Sequence, residues 1–442
     1  MKTSISNREI WRIAIPIMLG NFAQTVITFT DTAFLGHLGV VALGASMIAG
    51  LYYFVFTTLA MGFSIGIQII IARRFGEGNN KQIGVVFQHG AVFVFFLGIL
   101  MFLILRIFTS QLLSMIIDSH NIYASSMEYI KYRQFGIIFV CFNFLYRSLY
   151  VGLSNTKIIT FSTLIMAVVN IFLDYCLIFG NFGFPEMGIG GAALASFAAE
   201  VSATLFFTIY TYLSSNRIKY GLFKIRKLEK DLMHNIMKIA TPTMIQRMFS
   251  FGAWFVFFVL IEKMGEVAIG VSSIVRSAYM IIITPVFGFC ATANTLTSRI
   301  IGEGKIKEVL PTVNKVLING LLCCLPLCIL CSIIPSAIIS IYTDDMTLAA
   351  AAVPSIIVVC IATFTQAFGN IYFDAVSGTG NTNAALYLEF GILVIYIFYV
   401  WMMSHLTPHI HWVWTAELVY GFLIGLVSLI YIKYAHWQKK LI

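Results

Sequence analysis

Apolar runs long enough to cross a bilayer follow one another along almost the whole chain, and no other feature narrows the fold as much. About 20 apolar residues span the hydrocarbon core. Twelve segments reach that length, at roughly 10–36, 43–72, 84–107, 123–151, 157–180 and 188–214, then 235–262, 268–299, 310–336, 347–377, 383–404 and 411–432. Composition agrees: 59% of the 442 residues are hydrophobic and 11% charged, which points to a polytopic membrane protein and excludes a soluble domain. The opening MKTSISNREIW runs straight into a full-length span and reads as carrying no cleavable leader.

The spans are written twice. At a constant offset of 226 residues, Ile13-Ala14 returns as Ile239-Ala240, Pro16 as Pro242, Gly39 as Gly265 and Gly62-Phe63 as Gly288-Phe289. Arg73-x-x-Gly76-Glu77-Gly78 returns as Arg299-x-x-Gly302-Glu303-Gly304, and Gly152-x-x-Asn155-Thr156 as Gly378-x-x-Asn381-Thr382. Short motifs matching in one register mark a tandem duplication. Six spans per half is an even number, so both halves share one orientation. They are expected to form two six-helix lobes related by a pseudo-two-fold axis along the membrane normal, as in transporters built from parallel repeats. The predicted division is residues 1–215 as an N-lobe, 216–234 as a linker and 235–442 as a C-lobe, an all-α architecture of twelve transmembrane helices.

Charge sets the topology. The odd-numbered links (GHLGV, SQLLSMIIDSHN, NFGFPEMG, YTDD and HLTPHIH) are nearly free of Lys and Arg, with Lys263 an exception. Even-numbered links and the termini are basic: Arg73, Arg74 and Lys81; Lys157; Arg299, Lys305 and Lys307; Lys439 and Lys440. The richest is Arg217–Lys230, RIKYGLFKIRKLEK, between the halves. By the positive-inside rule this linker and both termini are cytoplasmic. The net charge of +9 is accounted for by these loops and needs no nucleic-acid partner. The eight cysteines lie in apolar spans without histidines at ligand spacing and read as small core residues. No HExxH, Ser/His/Asp arrangement or phosphate loop is present, so the chain is not expected to be an enzyme. The Gly-Glu-Gly links lack a GK[ST] ending and read as turns.

Within the first span, Asn21, Gln24, Thr28 and Asp31 are spaced 3, 4 and 3, on one helical face. A polar seam between helices explains the amides and threonine. A charged group inside a span is costly, however, and marks an ion or substrate pathway. Pro16, just upstream, removes a backbone bond and is a candidate hinge. The fifth span carries Asn170 and Asp174, and the sixth Ser196 and Glu200, each pair four apart. The halves differ here: Asp31, Gln24 and Thr28 correspond to Phe257, Ser250 and Trp254, and Asn170 and Asp174 to Tyr396 and Val400. The buried acids are therefore expected in the N-terminal half alone. Two carboxylates facing one cavity can bind a proton, since burial and a like-charged neighbour both disfavour the doubly ionised state. Their oxygens, with Asn170 and Ser196, equally suit Na⁺, leaving both ions open. Substrate-cavity candidates are Asn21, Gln24, Thr28, Tyr146, Tyr150, Glu200, Arg247, Ser250 and Trp254. Arg276, Lys315, Glu389 and Glu417 read as charges snorkelling to an interface, as does Arg247 unless it faces inward. His405, His409 and His411 read as interfacial.

Taken together these residues resemble the multidrug and toxic compound extrusion (MATE) family. The resemblance rests on FTDTAFLGHLGVVALGA, RRFGEGN, VGLSNTK, NIFLDYCLIFG and GIGGAALAS, and covers essentially the whole chain. It implies paired six-helix lobes that export organic cations on a proton or Na⁺ gradient, without another cofactor. The DinF-like branch is the better match: its coupling aspartates correspond to Asp31 and Asp174, with Asn170 beside them. The NorM-like branch has a glutamate in span seven and an aspartate in span ten; these positions are Ser250 and Gln366, so that C-lobe site is expected to be absent. The GAALAS run ends in serine where threonine is usual, which keeps the hydroxyl.

The expectation is a secondary antiporter for amphipathic, cationic organic compounds. It would be a multi-pass monomer in a bacterial inner membrane, with the lipid bilayer and small organic substrates as its partners. The alternative is a flippase for a lipid-linked sugar or phospholipid, which would need inward-facing cations such as Arg247 and Arg276.

Overall fold

The computed structural model describes residues 5–340, 346–435 and 437–439; the acidic link at 342–345 and Lys440, both used for topology above, lie outside them. Every regular element among these residues is helical. In chain order the helices are α1 (Asn7–Leu38), α2 (Val40–Gly76), α3 (Asn80–Ser114), α4 (His120–Arg133), α5 (Gly136–Gly152), α6 (Lys157–Phe179), α7 (Gly188–Leu213) and α8 (Asn216–Tyr220). The second half continues with α9 (Lys230–Glu262), α10 (Glu266–Gly302), α11 (Val309–Ile333), α12 (Pro335–Ile339), α13 (Met346–Gly378), α14 (Thr382–Leu406), α15 (Ile410–Trp414) and α16 (Ala416–Tyr434). Eleven helical stretches are long and apolar enough to cross a membrane, and α4 with α5 forms a twelfth, bent by 55°. The protein is thus a multi-pass all-helical membrane protein with the expected twelve spans.

The links repeat as the sequence does. Gly39 and its counterpart Gly265 have φ of 113° and 109°, and Gly78 and Gly304 have 72° and 75°. Only glycine enters this region without cost, so the duplicated glycines end duplicated helices. Beside Gly304, the Glu303 carboxylate lies 2.8 Å from the Lys305 ammonium and raises its pKa.

The chain divides into two units. One comprises residues 19–74 and 79–240; the other takes the chain up to Met18, residues 75–78 and 241 onward. The division falls inside α1 and α9, within a few residues of the equivalent prolines Pro16 and Pro242, while both helices continue through their prolines.

In the first unit α6 packs on α7, α3 on α5, and α4 and α5 on α7. The small-residue run opening α7 explains the first contact. A β-carbon on Gly191 would overlap the Leu177 backbone, so glycine there lets two membrane helices touch. The later part of α1 lies along α6, with Gly20 against Ile159 and Thr163 and Phe34 edge-on to Phe179 at 5.7 Å. The basic linker is docked on α3. The Gln88 side chain donates to Arg226 O (2.7 Å) and accepts from Arg226 N (3.1 Å), and His89 Nε2 accepts from Glu229 N (2.9 Å).

In the second unit α10 packs on α13 and α11, α13 on α16 and α11, and α14 on α16. The start of α1 is built into it. Trp11 Nε1 donates to Asn319 Oδ1 (2.8 Å) and its ring meets Phe289 edge-on at 5.2 Å. Glu9 pairs with Arg299 at 2.7 Å, and Lys315 donates to Ile5 O at 3.0 Å, so this lysine is tied into the unit.

Candidate functional site

Helical spacing alone carries Asn170 and Asp174 to one face of α6, where the later part of α1 brings Asp31. The Asp31 and Asp174 carboxyl groups face each other at close range, with the Asn170 amide beside Asp31. Asp174 and Asn170 are 0% and 1% exposed. Asp31 is half-buried as a residue, yet its Oδ1 is enclosed. That oxygen, both Asp174 oxygens and both polar atoms of the Asn170 side chain make no hydrogen bond to another protein group. Ionised carboxylates only accept. Contact between two of them therefore becomes attractive only when a proton or a cation lies between them. The oxygens of Asp31, Asp174 and Asn170 form a hard donor set that fits Na⁺ as well as a proton.

Ser196 lies half-buried on α7, one turn before Glu200, and makes no hydrogen bond among the described residues. Glu200 departs from its expected place at a cavity surface. Its Oε1 accepts from Arg133 Nη2 at 2.5 Å, and the Arg133 guanidinium sits 4.3 Å above the Tyr53 ring. Arg133 also acts electrostatically on Asp31. It is the last residue of α4, at the break in the fourth span. A β-carbon on Gly136 would overlap Glu200 Oε2, so the glycine that opens α5 makes room for this ion pair.

Sequence reasoning passed over Arg133, although an arginine inside the predicted 123–151 span was itself a signal. Arg147 in the same span was passed over too; it donates to Asn21 Oδ1 at 2.7 Å, which makes Asn21 a helix-to-helix contact. Gln24 and Thr28 are exposed. Tyr146 and Tyr150 stack on Phe207 and bond Thr208 and Thr211, so they are enclosed between α5 and α7 and line no open surface.

The expectation that buried acids occupy only the N-terminal half is wrong. Asp374, Glu389 and Glu417 lie inside the second unit, the two glutamates at 3% and 5% exposure. They do not snorkel: each has partners on neighbouring helices. Ser250 donates to Glu389 Oε1 (2.6 Å), as does Tyr420 (3.1 Å). Glu417 accepts from Tyr396 (2.9 Å), Tyr279 (3.2 Å) and Gln366 (2.8 Å). Arg247, the register equivalent of Asn21, approaches Asp374 at 3.9 Å. Trp254 is half-buried and meets Phe258 edge-on, and Arg276 lies over the same Phe258 ring at 5.5 Å.

Comparison with known proteins agrees with the fold and the repeat. The MatE family model matches twice, over residues 16–176 and 242–402, the two matches lying one repeat apart. A probable multidrug resistance protein NorM of Thermotoga maritima is 27% identical over 87% of this chain and 82% of its own length. Among solved structures, a MATE protein in complex with MaL6 superposes with a TM-score of 0.89 at 19% identity, covering 96% of this chain and 95% of that one. An outward-facing multidrug resistance MATE family transporter of the MOP superfamily gives 0.87 at 19% identity, with 98% of each chain covered.

Proposed function

The chain belongs to the MatE family, and from that premise we propose that it is a secondary antiporter which exports cationic organic compounds in exchange for H⁺ or Na⁺. One observation carries the coupling assignment: two apposed carboxyl groups, Asp31 and Asp174, whose enclosed oxygens have no protein donor. An inbound ion neutralises the pair. Neutralisation weakens the negative field that holds a cationic substrate and relieves repulsion between α1 and α6. Such an ion drives transport only if it binds one conformation better than the other. Asn170 completes the oxygen set, and the Ser196 hydroxyl of α7 is proposed as a further member. The cell location implied is a bacterial inner membrane with cytoplasmic termini, following the loop charges.

The flippase alternative gains nothing from this arrangement. A pyrophosphate needs cations free to meet it, whereas Arg247 stands beside Asp374 in a cluster richer in carboxyl groups than in guanidinium.

The test is transport in proteoliposomes under imposed proton or Na⁺ gradients, with a fluorescent organic cation in one arm and a labelled lipid-linked sugar in the other. Gradient-driven movement of the cation, lost in Asp31→Asn and in Asp174→Asn at normal expression, is the expected result. Full transport by both variants, or movement of the sugar alone, would overturn the reading.

A further inference from the structure

Arg133 uses only part of its bonding capacity. Its Nη2 donates to Glu200 Oε1 at 2.5 Å and its guanidinium lies over the Tyr53 ring, yet its Nη1 is enclosed and makes no hydrogen bond. Glu200 Oε2 is likewise enclosed and unbonded. A guanidinium set side by side with a carboxylate joins two nitrogens to two oxygens. Here one donor and one acceptor are left over, and buried polar groups without partners are costly. Asp31 gives the spare donor a use. The charge of Arg133 acts on Asp31, whose Oδ1 is enclosed and unbonded too. Tyr129, one turn before Arg133 on α4, stands beside both residues. There is also room to turn. Arg133 ends α4 where the span bends by 55°, and a β-carbon on Gly136 would crowd both Arg133 Nη1 and Glu200 Oε2.

We propose, resting on the reading of Asp31 and Asp174 as the coupling site, that Arg133 is a tethered competitor of the coupling ion. It rests on Glu200 while the aspartates hold their ion and turns Nη1 onto Asp31 when the ion leaves. The groups around the guanidinium are Asp31 of α1, Tyr53 of α2, Tyr129 of α4 and Glu200 of α7, with Asp174 of α6 beside Asp31 and Cys141 of α5 beside Glu200. Of these only the carboxyl groups can offer Arg133 a full opposite charge. Arg133 is thus a positioning residue: it keeps the emptied aspartates from standing bare, which lets the ion depart, and Glu200 sets how firmly it is held back. The second unit has no such device. One repeat later, Arg133, Glu200 and Gly136 are Val359, Leu426 and Ala362, so the ion pair and the glycine that makes room for it are absent together.

Infrared difference spectroscopy on the full-length protein in lipid reads the carboxyl groups as the pH is stepped in choline chloride, or as Na⁺ is added at fixed alkaline pH. The band removed by Asp31→Asn/Asp174→Asn belongs to the coupling site. In Arg133→Met/Glu200→Leu that band is expected to reach its midpoint at about tenfold lower proton or Na⁺ concentration, because the competitor is gone. Glu200→Gln alone should move the midpoint the other way, because the guanidinium is released to Asp31. A fixed ion pair that only braces the bend would present nearly cancelling charges to the aspartates. A wild-type midpoint in the Arg133→Met/Glu200→Leu variant would therefore overturn the proposal, as would a Glu200→Gln shift in that variant's direction. That double variant leaves no unpaired charge, and the equivalent helices of the second unit carry apolar residues at both places. Should it fail to fold, the sign of the Glu200→Gln shift decides alone, since glutamine keeps an acceptor for Nη2. A spectrum unchanged by Asp31→Asn/Asp174→Asn would overturn the coupling site itself and this proposal with it, a failure distinct from an Arg133 without effect.

Discussion

At the scale of single residues, the membrane interior makes every charge demand a partner, and the two units answer differently. Asp31 and Asp174 have each other, an arrangement that becomes stable only with an ion between them. Arg133 and Glu200, by contrast, bring opposite charges together, with Arg133 Nη2 donating to Glu200 Oε1. Removing one member of a buried ion pair leaves an uncompensated charge and costs about 3–5 kcal/mol, whereas replacing both by apolar groups of similar size is often near neutral. Arg133→Ala is accordingly expected to lower thermal stability in detergent sharply, and Arg133→Met with Glu200→Leu to recover most of it. Equal losses in both would show that the pair contributes little. The aspartate pair was legible in the sequence because helical spacing alone puts Asn170 and Asp174 on one face. The ion pair was not, because its members are 67 residues apart and nothing local matches them. The acids of the second half escaped for a different reason. Comparing halves position by position finds shared motifs, but it cannot show that Glu389 and Glu417, opposite Thr163 and Gly191, converge from different helices onto one cluster.

Among the elements, α1 is the one proposed to join chemistry to motion. It carries Asp31 in its later part and has its first turns locked to the second unit through Trp11 and Glu9, with Pro16 between. Proline has already removed a backbone bond there, so a change of bend costs less than elsewhere in the helix. Pro16→Ala is expected to slow substrate turnover more than it weakens substrate binding, read as transport rate against equilibrium affinity. Wild-type turnover in that variant would remove the hinge from the scheme. The fourth span shows the opposite use of a break. The 55° bend between α4 and α5 sets Arg133 against Glu200, and no break falls at the equivalent place in α13, where residue 359 lies inside a continuous helix. A run of apolar residues announces both spans alike, so the bend was not legible.

At the scale of the whole molecule, the duplication was the most legible feature. The repeated glycines end repeated helices, and the family match falls into the same two segments. Topologically equivalent positions nevertheless do different work: Asn21 meets Arg147 in one unit, and its equivalent Arg247 meets Asp374 in the other. The division of the chain near Pro16 and Pro242 also lay beyond a reading of apolar runs, since packing and not hydropathy decides which unit a helix turn joins. Ion and substrate are proposed to compete for the field of Asp31 and Asp174, and linkage makes such competition reciprocal. Adding tetraphenylphosphonium to purified, weakly buffered protein should release protons to a pH indicator, or displace bound ²²Na⁺. That release should vanish in the Asp31→Asn/Asp174→Asn variant. Binding of the organic cation without release of either ion, or the same release from the variant, would rule out competition at Asp31 and Asp174.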